Sequence, residues 1–514
     1  MIVEDQTATI EFLKDPATHG CAGPVEVIET HISMVFLAGD RAYKLKRAVH
    51  LPYADFSTSA IRAATCETEV ALNAPTAPGL YLGTRRITRG DDGCLSFDGD
   101  GPLADAVVAM VRFEQSDLFD QMAMAGTLTP ALMTGLSHTI AAFHRGLPPV
   151  HTGGGAANME GVLNINADGF ATSHVFSEDA VKRFDATFRD ALARHAETLD
   201  RRERAGMIRR CHGDLHLRNI CMFQGQPRLF DCIDFNDQIA TIDVLYDLAF
   251  LLMDLWHRGH PELANLVANR YFDEIGQDDG FELLPFFMAV RAAVRAHVTA
   301  TLSEDLAEGA KEAAASARRY FDLALSLLAP CAPGLVAIGG LSGSGKSTVA
   351  EALAPRLGRP PGARIVESDR ARKALFGARP EERLPSEAYE PAVSDKVYHR
   401  ITARALALTG AGSAVIVDAV FDRPDRRGAL DAAACAAGVP LTGIWLHSDA
   451  ATLRSRVATR PAGVSDATPE VLEAQLKRDI GSLTWARIDA SRPVEATVAA
   501  ILALRRETAA PAPG

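Results

Sequence analysis

The sequence lacks the features of several large protein classes. Its apolar runs, such as Leu248 to Met253, are far shorter than the roughly 20 residues that span a bilayer. The first residues, MIVEDQTATIEF, carry acids where a secretory signal would carry Lys or Arg. We therefore expect neither export nor a membrane partner, and we predict a cytoplasmic protein.

Basic residues are also in short supply. The 53 Lys and Arg residues face 65 Asp and Glu residues, which gives a net charge of -12. Since no basic surplus remains to neutralise a phosphate backbone, no nucleic-acid partner is expected.

The 47% hydrophobic and 23% charged residues are typical of globular protein and exclude a disordered or fibrous chain. At about 150 residues per domain, the length predicts roughly two to four domains.

Cysteine is sparse and shows no close CxxC pair. The eight cysteines of the chain therefore indicate reduced thiols rather than a disulfide framework. One loose cluster lies near two histidines and comprises Cys211, Cys221, Cys232, His212 and His216. Its spacing does not match a zinc site, so we interpret the three cysteines as core residues.

The first part of the chain reads as a small sheet followed by helices. One predicted helix, Thr58 to Asn73, interrupts the strands. The predicted strands are Val25–Ile28, Ser33–Leu37, Arg41–Leu45, Tyr81–Ile87, Cys94–Phe97 and Ala106–Arg112. From about Leu118 to Leu328 the pattern is mostly helical, with a strand-like stretch at Cys211 to Phe235.

Two prolines and a glycine within Ala329 to Gly334 indicate a domain boundary. We predict domains at residues 1–329 and 335–514, joined by a linker at residues 330–334. Beyond the linker, short apolar strands alternate with helices, which is the pattern of a parallel α/β sheet. These predicted strands are Leu335–Ile338, Arg364–Val366, Ala414–Val417 and Leu441–Leu446.

A phosphate-binding loop opens the second domain. The string GLSGSGKS, from Gly340 to Ser347, fits G-x-x-x-x-G-K-[ST] between a predicted strand and a predicted helix, Ser347 to Leu357. Backbone N–H groups and Lys346 would bind the phosphates of a nucleotide, and the Ser347 hydroxyl would ligate Mg²⁺. The predicted nucleotide-binding residues are Gly340, Ser342, Gly343, Ser344, Gly345, Lys346, Ser347 and Thr348.

Further charged residues are candidates for catalysis in this domain. Asp369 follows the second predicted strand and would accept a proton from a substrate hydroxyl or bind Mg²⁺ through water, unless Ser368 or Asp369 only caps a helix. Asp418 closes an apolar strand and is a second magnesium candidate, by analogy with the Walker B acid, or merely caps that strand. Arg456 and Arg460 lie four residues apart, as on a lid over the transferring phosphate or on a solvated helix.

The second module, about Leu335 to Arg506, resembles the small P-loop kinases, a group that includes gluconate kinase, chloramphenicol phosphotransferase and the zeta toxins. The resemblance implies phosphoryl transfer from ATP to a small hydroxyl compound, or to a nucleotide sugar as in the zeta toxins. Its motifs specify the nucleotide far better than the acceptor.

The first domain carries a different kinase motif. In the string HGDLHLRN, Asp214 precedes Asn219 by five positions, as in a kinase catalytic loop with His-Gly-Asp for His-Arg-Asp, and Asp234 follows after a predicted hairpin. Such an Asp accepts the proton of the acceptor hydroxyl, while an Asn and a second Asp hold magnesium ions at the phosphates. The set predicts a second phosphotransferase site.

This module, about Val25 to Ala329, resembles the aminoglycoside phosphotransferase branch of the protein-kinase-like fold. The resemblance implies that Asp214 is the catalytic Asp and that Asn219 and Asp234 bind the metal. It also implies a phosphate-binding lysine on the strand Arg41 to Leu45 and a glutamate partner on the following helix. Lys44 with Glu69 is our choice, and the alternatives are Lys46 and Glu67.

Two features depart from that family pattern. No G-x-G-x-x-G string precedes Lys44, so the loop over the phosphates would be the non-glycine kind around Thr30 to Ser33. The region that would shape the acceptor pocket, about Thr241 to Arg319, has few acids that suit a polycationic antibiotic. An aminoglycoside substrate therefore does not follow from the fold.

The resemblance further implies that Asp247 braces the catalytic loop.

Taken together, the motifs predict an α+β, protein-kinase-like, two-lobed domain followed by an α/β P-loop NTPase domain with a parallel sheet. Each domain would use ATP and Mg²⁺ to phosphorylate a hydroxyl group of a small molecule. One alternative is a non-catalytic ligand or ATP sensor fused to a P-loop ATPase switch. Another is a zeta-toxin-like nucleotide-sugar kinase in the C-terminal half.

Overall fold

The computed structural model describes residues 3–30, 32–51, 54–305, 308–380, 382–459 and 464–509. Its helices are α1 Thr7–Lys14, α2 Pro16–His19, α3 Ser59–Asn73, α4 Phe119–Ala125, α5 Pro130–Gly146, α6 Gly155–Ala171, α7 Glu178–Arg204, α8 Asp237–Ala240, α9 Val244–His257, α10 Pro261–Ile275, α11 Leu284–Asp305, α12 Ala310–Leu328, α13 Lys346–Leu353, α14 Ser368–Leu375, α15 Pro391–Gly410, α16 Pro424–Ala436, α17 Ala450–Thr459, α18 Pro469–Leu476 and α19 Val494–Ala509.

The strands of the described residues are β1 Glu26–Glu29, β2 Ser33–Ala38, β3 Arg41–Lys46, β4 His50–Leu51, β5 Ala54–Asp55, β6 Tyr81–Arg89, β7 Leu95–Phe97, β8 Leu103–Val111, β9 Ile208–Arg210, β10 Ile220–Phe223, β11 Gln226–Leu229, β12 Thr241–Asp243, β13 Leu335–Gly339, β14 Arg364–Glu367, β15 Val415–Asp418, β16 Leu441–His447 and β17 Ala486–Asp489.

The chain forms two compact units. The first contains Met1–Ile165 and Leu192–Asp254, and the second contains Asn166–Ala191 and Leu255–Gly514. The second unit therefore includes helices α10, α11 and α12 together with all residues that follow them. The segment at residues 330–334 lies inside this unit.

The first unit is built on a six-stranded antiparallel sheet in the order β1-β2-β3-β8-β6-β7. Helix α3 begins where the sequence predicts it, because the Ile61 backbone N–H donates to the Thr58 hydroxyl at 3.3 Å and so caps the helix. Cys66 of α3 packs in one core with Ala106 and Val108 of β8. This packing directs the polar side of α3 toward the lysines of β3.

Short two-stranded sheets carry the predicted catalytic loop. Strand β9 pairs with β12, and β10 pairs with β11. The loop from Cys211 to Asn219 runs between β9 and β10, and Asp231 and Asp234 follow β11. The loop and the two acids therefore share one framework of backbone hydrogen bonds, in which the Ile233 N–H donates to the His212 carbonyl at 2.9 Å.

The C-terminal half of the second unit contains a five-stranded parallel sheet in the order β14-β15-β13-β16-β17. Together with the antiparallel lobe of the first unit, this sheet confirms the predicted fold class. Four of its strands were expected, but β17 was not. The predicted helix Ser347–Leu357 is wrong in length, since α13 ends at Leu353 and gives way to a 3-10 turn at Ala354–Arg356. Pro355 has no N–H with which to continue the α-helix.

One helix of the described chain, Phe281–Glu304, is long and apolar enough to cross a membrane by length and composition alone. The short uninterrupted apolar runs of the sequence did not indicate such a helix. The apolar window of this helix is 72% buried inside the protein, and core helices of compact proteins have the same composition.

Candidate active sites

The predicted catalytic loop brings two of its candidate residues into direct contact. The Asn219 side-chain amide donates to the Asp214 carboxylate at 2.9 Å and to the Asp214 carbonyl at 3.0 Å. The His216 ring lies 3.4 Å from the same carboxylate. Asp214 is half-buried, so its carboxylate can meet a substrate while Asn219 fixes its orientation.

Gly213 and Asp247 explain the shape of this loop. Gly213 has a φ of +81°, and a Cβ there would lie 2.9 Å from Cδ1 of Ile233, so a side chain is excluded on both counts. The buried Asp247 carboxylate accepts hydrogen bonds from the Gly213 N–H at 2.8 Å and the His212 N–H at 3.2 Å. Asp247 thus holds the loop from behind, which is the position that the resemblance implies.

Asp247 also lies in a buried group with His144 and Cys211, whose potential ligand atoms lie within 4.8 Å of one another. The His144 ring is 3.1 Å from the carboxylate. Cys211, Cys221 and Cys232 are all buried, and Cys221 packs in the same core cluster as Cys66.

Two lysines of strand β3 share one glutamate of helix α3. Residues two apart on a strand point to the same face, and Lys44 and Lys46 accordingly both contact Glu69, at 2.8 and 2.6 Å. Lys44 also pairs with Asp231, and Lys46 lies 2.5 Å from Asp234. The structure thus brings both candidate lysines to the predicted glutamate, whereas the alternative, Glu67, is exposed.

Burial and charge act against each other in this cluster. Burial would lower the pKa of Lys44, but the carboxylates of Asp231 and Glu69 raise it well above its ordinary value. Burial would raise the pKa of Glu69, but the two lysines lower it to about 2. Burial raises the pKa of Asp234 to about 6, against the opposing effect of Lys46. The lysines and Glu69 are therefore fully charged at neutral pH.

Asp231 is a site residue that the sequence analysis missed. Its φ of +59° turns the chain so that its N–H donates to the Tyr81 hydroxyl at 3.0 Å while its carboxylate meets Lys44. The side chain is 42% exposed. Its place three residues before Asp234 was the available signal in the sequence.

The predicted phosphate-covering loop at Thr30–Ser33 is closed by a hydrogen bond from the Thr30 N–H to the Ser33 carbonyl at 2.8 Å. His31 within this loop lies outside the described residues.

The glycines of the C-terminal loop occupy positions that only glycine fits. Gly340 has a φ of +149°, and a Cβ there would lie 2.6 Å from the Leu446 carbonyl and from the Ser344 hydroxyl. Gly343 has a φ of +81° and lies against the Leu453 carbonyl. Gly345 has a φ of +84° and immediately precedes α13. The loop therefore leads from the central strand β13 into a helix N-terminus, where backbone N–H groups attract anions.

The predicted magnesium residues of this site are in contact. The Ser347 hydroxyl donates to the Asp418 carboxylate at 2.6 Å, and in the sheet Asp418 pairs with Ile338, just before the loop. Lys346 Nζ lies 3.3 Å from the Leu341 carbonyl. Burial raises the pKa of Asp418, although Lys346 and Ser347 counter the rise. Thr348 is exposed on the first turn of α13.

The remaining candidates of the second module surround this loop. Asp369 is the second residue of α14 and half-buried, and within the described ranges no hydrogen bond or ion pair to its carboxylate is found. The alternative that Ser368 or Asp369 caps the helix is wrong, because the N-cap position belongs to Glu367. Arg456 donates to the Ala490 carbonyl at 3.0 Å and lies 3.5 Å from the Gly343 carbonyl. Arg460 lies outside the described residues.

Helix α18 contributes a contact to the loop that the sequence analysis missed. The buried Gln475 side chain accepts a hydrogen bond from the Ser342 N–H at 2.9 Å. Leu472 of α18 packs with Leu453 and Val457 of α17, and Leu341 of the loop packs against them. No local pattern in the sequence links residues this far apart, so the contact had no sequence signal.

Two protein families match separate parts of the chain. Residues 102–283 match the phosphotransferase enzyme family, and residues 335–479 match the family described as an AAA domain. The chain therefore carries an aminoglycoside-phosphotransferase-type domain and a P-loop kinase-type domain, as the motifs predict. The two matches support phosphotransferase activity with ATP.

The chain is also similar to whole proteins and to solved structures. An uncharacterized protein of Mycobacterium tuberculosis (strain H37Rv) is 29% identical over 483 residues, covering 92% of this chain and 94% of the relative. An uncharacterized protein of Mycobacterium bovis shows the same values, 29%, 92% and 94%. A gluconokinase from Sinorhizobium meliloti is similar at 24% identity, with a TM-score of 0.26 over 35% of this chain and 95% of its own. A choline/ethanolamine kinase family protein from Mesorhizobium loti has 15% identity and a TM-score of 0.39, over 62% of this chain and 97% of its own.

Proposed function

We propose that this chain, which joins a phosphotransferase-family domain to a P-loop kinase domain, has two separate nucleotide sites. Each would transfer the γ-phosphoryl group of ATP to a hydroxyl group of a small molecule. The observation that supports this most strongly occurs in both modules: a metal-type carboxylate lies against a residue that is a candidate to bind the phosphates or their metal. Asp234 contacts Lys46 at 2.5 Å, and Asp418 contacts Ser347 at 2.6 Å.

The oxygen-rich donors in both places fit Mg²⁺, which prefers carboxylate and hydroxyl ligands. Asn219 and Asp234 would hold it in the first site, and Ser347 and Asp418 in the second. When bound, Mg²⁺ would offset the negative charge of the phosphates. Each of these side chains already has a partner within the protein: Asp214 for Asn219, Lys46 for Asp234, and Ser347 and Asp418 for each other.

Proton transfer in the first site falls to Asp214. Its carboxylate is held by Asn219 at 2.9 Å and is half-buried, so it can orient an acceptor hydroxyl and accept its proton as the oxygen attacks phosphorus. Lys44 or Lys46, kept protonated by Glu69, would bind the phosphate oxygens.

In the second site Asp369 has the corresponding role, because its carboxylate is half-buried and lies at the carboxyl edge of the parallel sheet. Lys346 would bind the terminal phosphates at the N-terminus of α13. Arg456, held 3.5 Å from the Gly343 carbonyl, would stabilise the charge on the transferring group.

The test is an incubation of the whole protein with γ-labelled ATP, Mg²⁺ and a small-molecule extract of bacterial cells. Wild type is compared with Asp214→Ala and Lys346→Ala, and with two matched controls on exposed residues, Asp91→Ala and Lys396→Ala. We expect label in a new small compound, lost in one of the two site variants and retained in both controls. Label found only as free phosphate, or transfer that survives both site variants, would contradict the proposal; the first result is what a sensor with an ATPase switch would give.

A further inference from the structure

Helix α10 closes an open edge of the P-loop sheet. Strand β14 has one strand neighbour, β15, and Asn265 and Asn269, one turn apart on α10, take the place of a second. The Ile365 N–H donates to the Asn269 side chain at 2.8 Å, and both asparagine amides donate to the Ala363 carbonyl at 3.1 Å. The strand edge thus gains hydrogen bonds from a helix that precedes the P-loop domain in the chain.

Buried ion pairs reinforce the same contact. Arg364 of β14 is 1% exposed and meets Asp273 of α10 at 2.6 Å and Asp278 at 3.0 Å. Arg404 of α15 also contacts Asp278, at 2.7 Å. Removing one partner of such a buried pair leaves an uncompensated charge, which is strongly destabilising. The described α10 residues therefore form a fixed part of this unit.

One residue of α10 extends from the sheet edge toward the nucleotide site. Arg270 lies 2.5 Å from Glu351 of α13, the helix that begins at Lys346, and 3.7 Å from Glu367, two residues before Asp369. Glu367 is also held by Arg370 at 3.1 Å. Arg270 thus connects the helix of the phosphate loop with the strand end that presents the candidate base.

Arg270 also balances negative charge beside the phosphate loop. It contacts three carboxylates, those of Asp273, Glu351 and Glu367. Arg370 is a second cation at Asp273 and Glu367, but among the described residues Glu351 has no contact with it. Without Arg270, the negative charge of Glu351 and Glu367 would be less compensated beside the place where nucleotide phosphates bind.

We propose that Arg270 is a positioning residue of the P-loop nucleotide site and acts through Glu351 and Glu367. Helix α10 thus contributes to this nucleotide site. The inference rests on the proposed binding of Mg·ATP at the P-loop. It assigns a role in that site to a residue that lies within the other family match, at residues 102–283.

The experiment titrates the full-length protein with Mg·ATP by calorimetry, and the component abolished by Lys346→Ala defines the P-loop site. We expect Arg270→Gln to weaken this component by about tenfold, equivalent to about 1.4 kcal/mol, and Arg270→Lys to weaken it less. Adding Glu351→Gln to Arg270→Gln should restore most of the affinity, because it removes the charge that Arg270 compensates.

Arg404→Gln is the matched control, since it breaks an ion pair of the same interface without touching Glu351 or Glu367. Melting temperatures are measured for every variant, and titrations are run well below them. Equal weakening in Arg270→Gln and Arg404→Gln, or no weakening in Arg270→Gln, would overturn the positioning role while leaving the nucleotide site intact. A wild-type titration with no component sensitive to Lys346→Ala would overturn the nucleotide site and the positioning role together.

Discussion

At the scale of single residues, the two lysines that contact Glu69, Lys44 and Lys46, differ in their surroundings and in the role that these surroundings suit. Lys46 has a side chain that is 2% exposed and pairs with two buried acids, Glu69 and Asp234. Lys44 is 11% exposed and reaches the half-exposed Asp231. The deeper lysine is therefore positioned to neutralise buried charge, and the outer one to meet a ligand.

Separate methionine substitutions should distinguish these tasks. Lys46→Met leaves the buried Asp234 without its cation and should lower the free energy of unfolding by about 3–5 kcal/mol. Lys44→Met should cost much less stability, because Glu69 keeps Lys46, but should weaken nucleotide binding in the first site. Denaturant unfolding and Mg·ATP titration in a Lys346→Ala background measure both effects. Normal nucleotide binding by Lys44→Met would instead identify Lys46 as the phosphate-binding lysine.

The sequence could indicate a site residue where that residue belongs to a short motif of neighbouring positions. Asp214 and Asn219 belong to one short motif, and Ser347 follows directly from the loop string, so their types and spacing sufficed. Gln475 and Arg270 carry no such motif, and Asp231 offers only its place three residues before Asp234. Gln475 and Arg270 reach their sites through tertiary contacts, which leave no short-range pattern.

At the scale of elements, helices α6 and α11 meet at a half-buried histidine, His297. The His297 ring of α11 lies 3.2 Å from the Asn166 side-chain oxygen of α6. A Cβ at Gly169 would come within 2.4 Å of this ring, so the glycine permits the close approach of the ring. Burial lowers the pKa of His297 to about 4, which keeps the ring neutral in the folded protein at neutral pH.

This histidine should make the second unit less stable in mild acid. In the unfolded chain His297 would titrate near 6.5, so as the pH falls from 6.5 toward 4 the unfolded state binds a proton that the folded state does not. The free energy of unfolding should therefore fall by about 2 kcal/mol between pH 7 and pH 5. Urea unfolding of His297→Gln should show a smaller loss over that range, whereas the exposed control His399→Gln should retain it. An unchanged pH dependence in His297→Gln would refute this assignment.

Among the elements, those with a strong local pattern were predicted closely. Strand β3 and helix α3 begin and end within one residue of expectation because apolar alternation and the Thr58 cap are local signals. Strands β12 and β17 were missed, since Thr241–Asp243 and Ala486–Asp489 are short and mixed in polarity. Their pairing partners, β9 and β16, make them strands.

At the scale of the whole molecule, the predicted linker does not separate independent parts. The residues on its two sides, 255–329 and 335–514, lie in the same compact unit. The buried Arg364 and the asparagines of α10 join them by contacts that no linker composition reveals. The segment with prolines and glycine marks the change from one family match to the other along the sequence. It does not mark the boundary of a compact unit of the structure.

Cleavage at the linker should therefore not release the C-terminal domain. A protease recognition site replacing Cys331–Pro333, which are exposed, would allow complete cutting of the folded protein. We expect the two fragments to co-elute in gel filtration, because Arg364 remains buried between Asp273 and Asp278. The variant Arg364→Ala should weaken this association. Separate elution of the wild-type fragments in low salt would contradict the expectation.

The contact between α10 and β14 also limits how the two halves of the gene can be separated by recombination. A recombination event that moved residues 335–514 into another gene would carry Arg364 and Glu367 without the arginine, asparagines and acids that match them. The recipient would gain a sheet with an open edge and poorly compensated charge. The two halves should therefore evolve as one hereditary unit, with compensating changes across the family boundary, and the mycobacterial relatives already align along 92% of the chain.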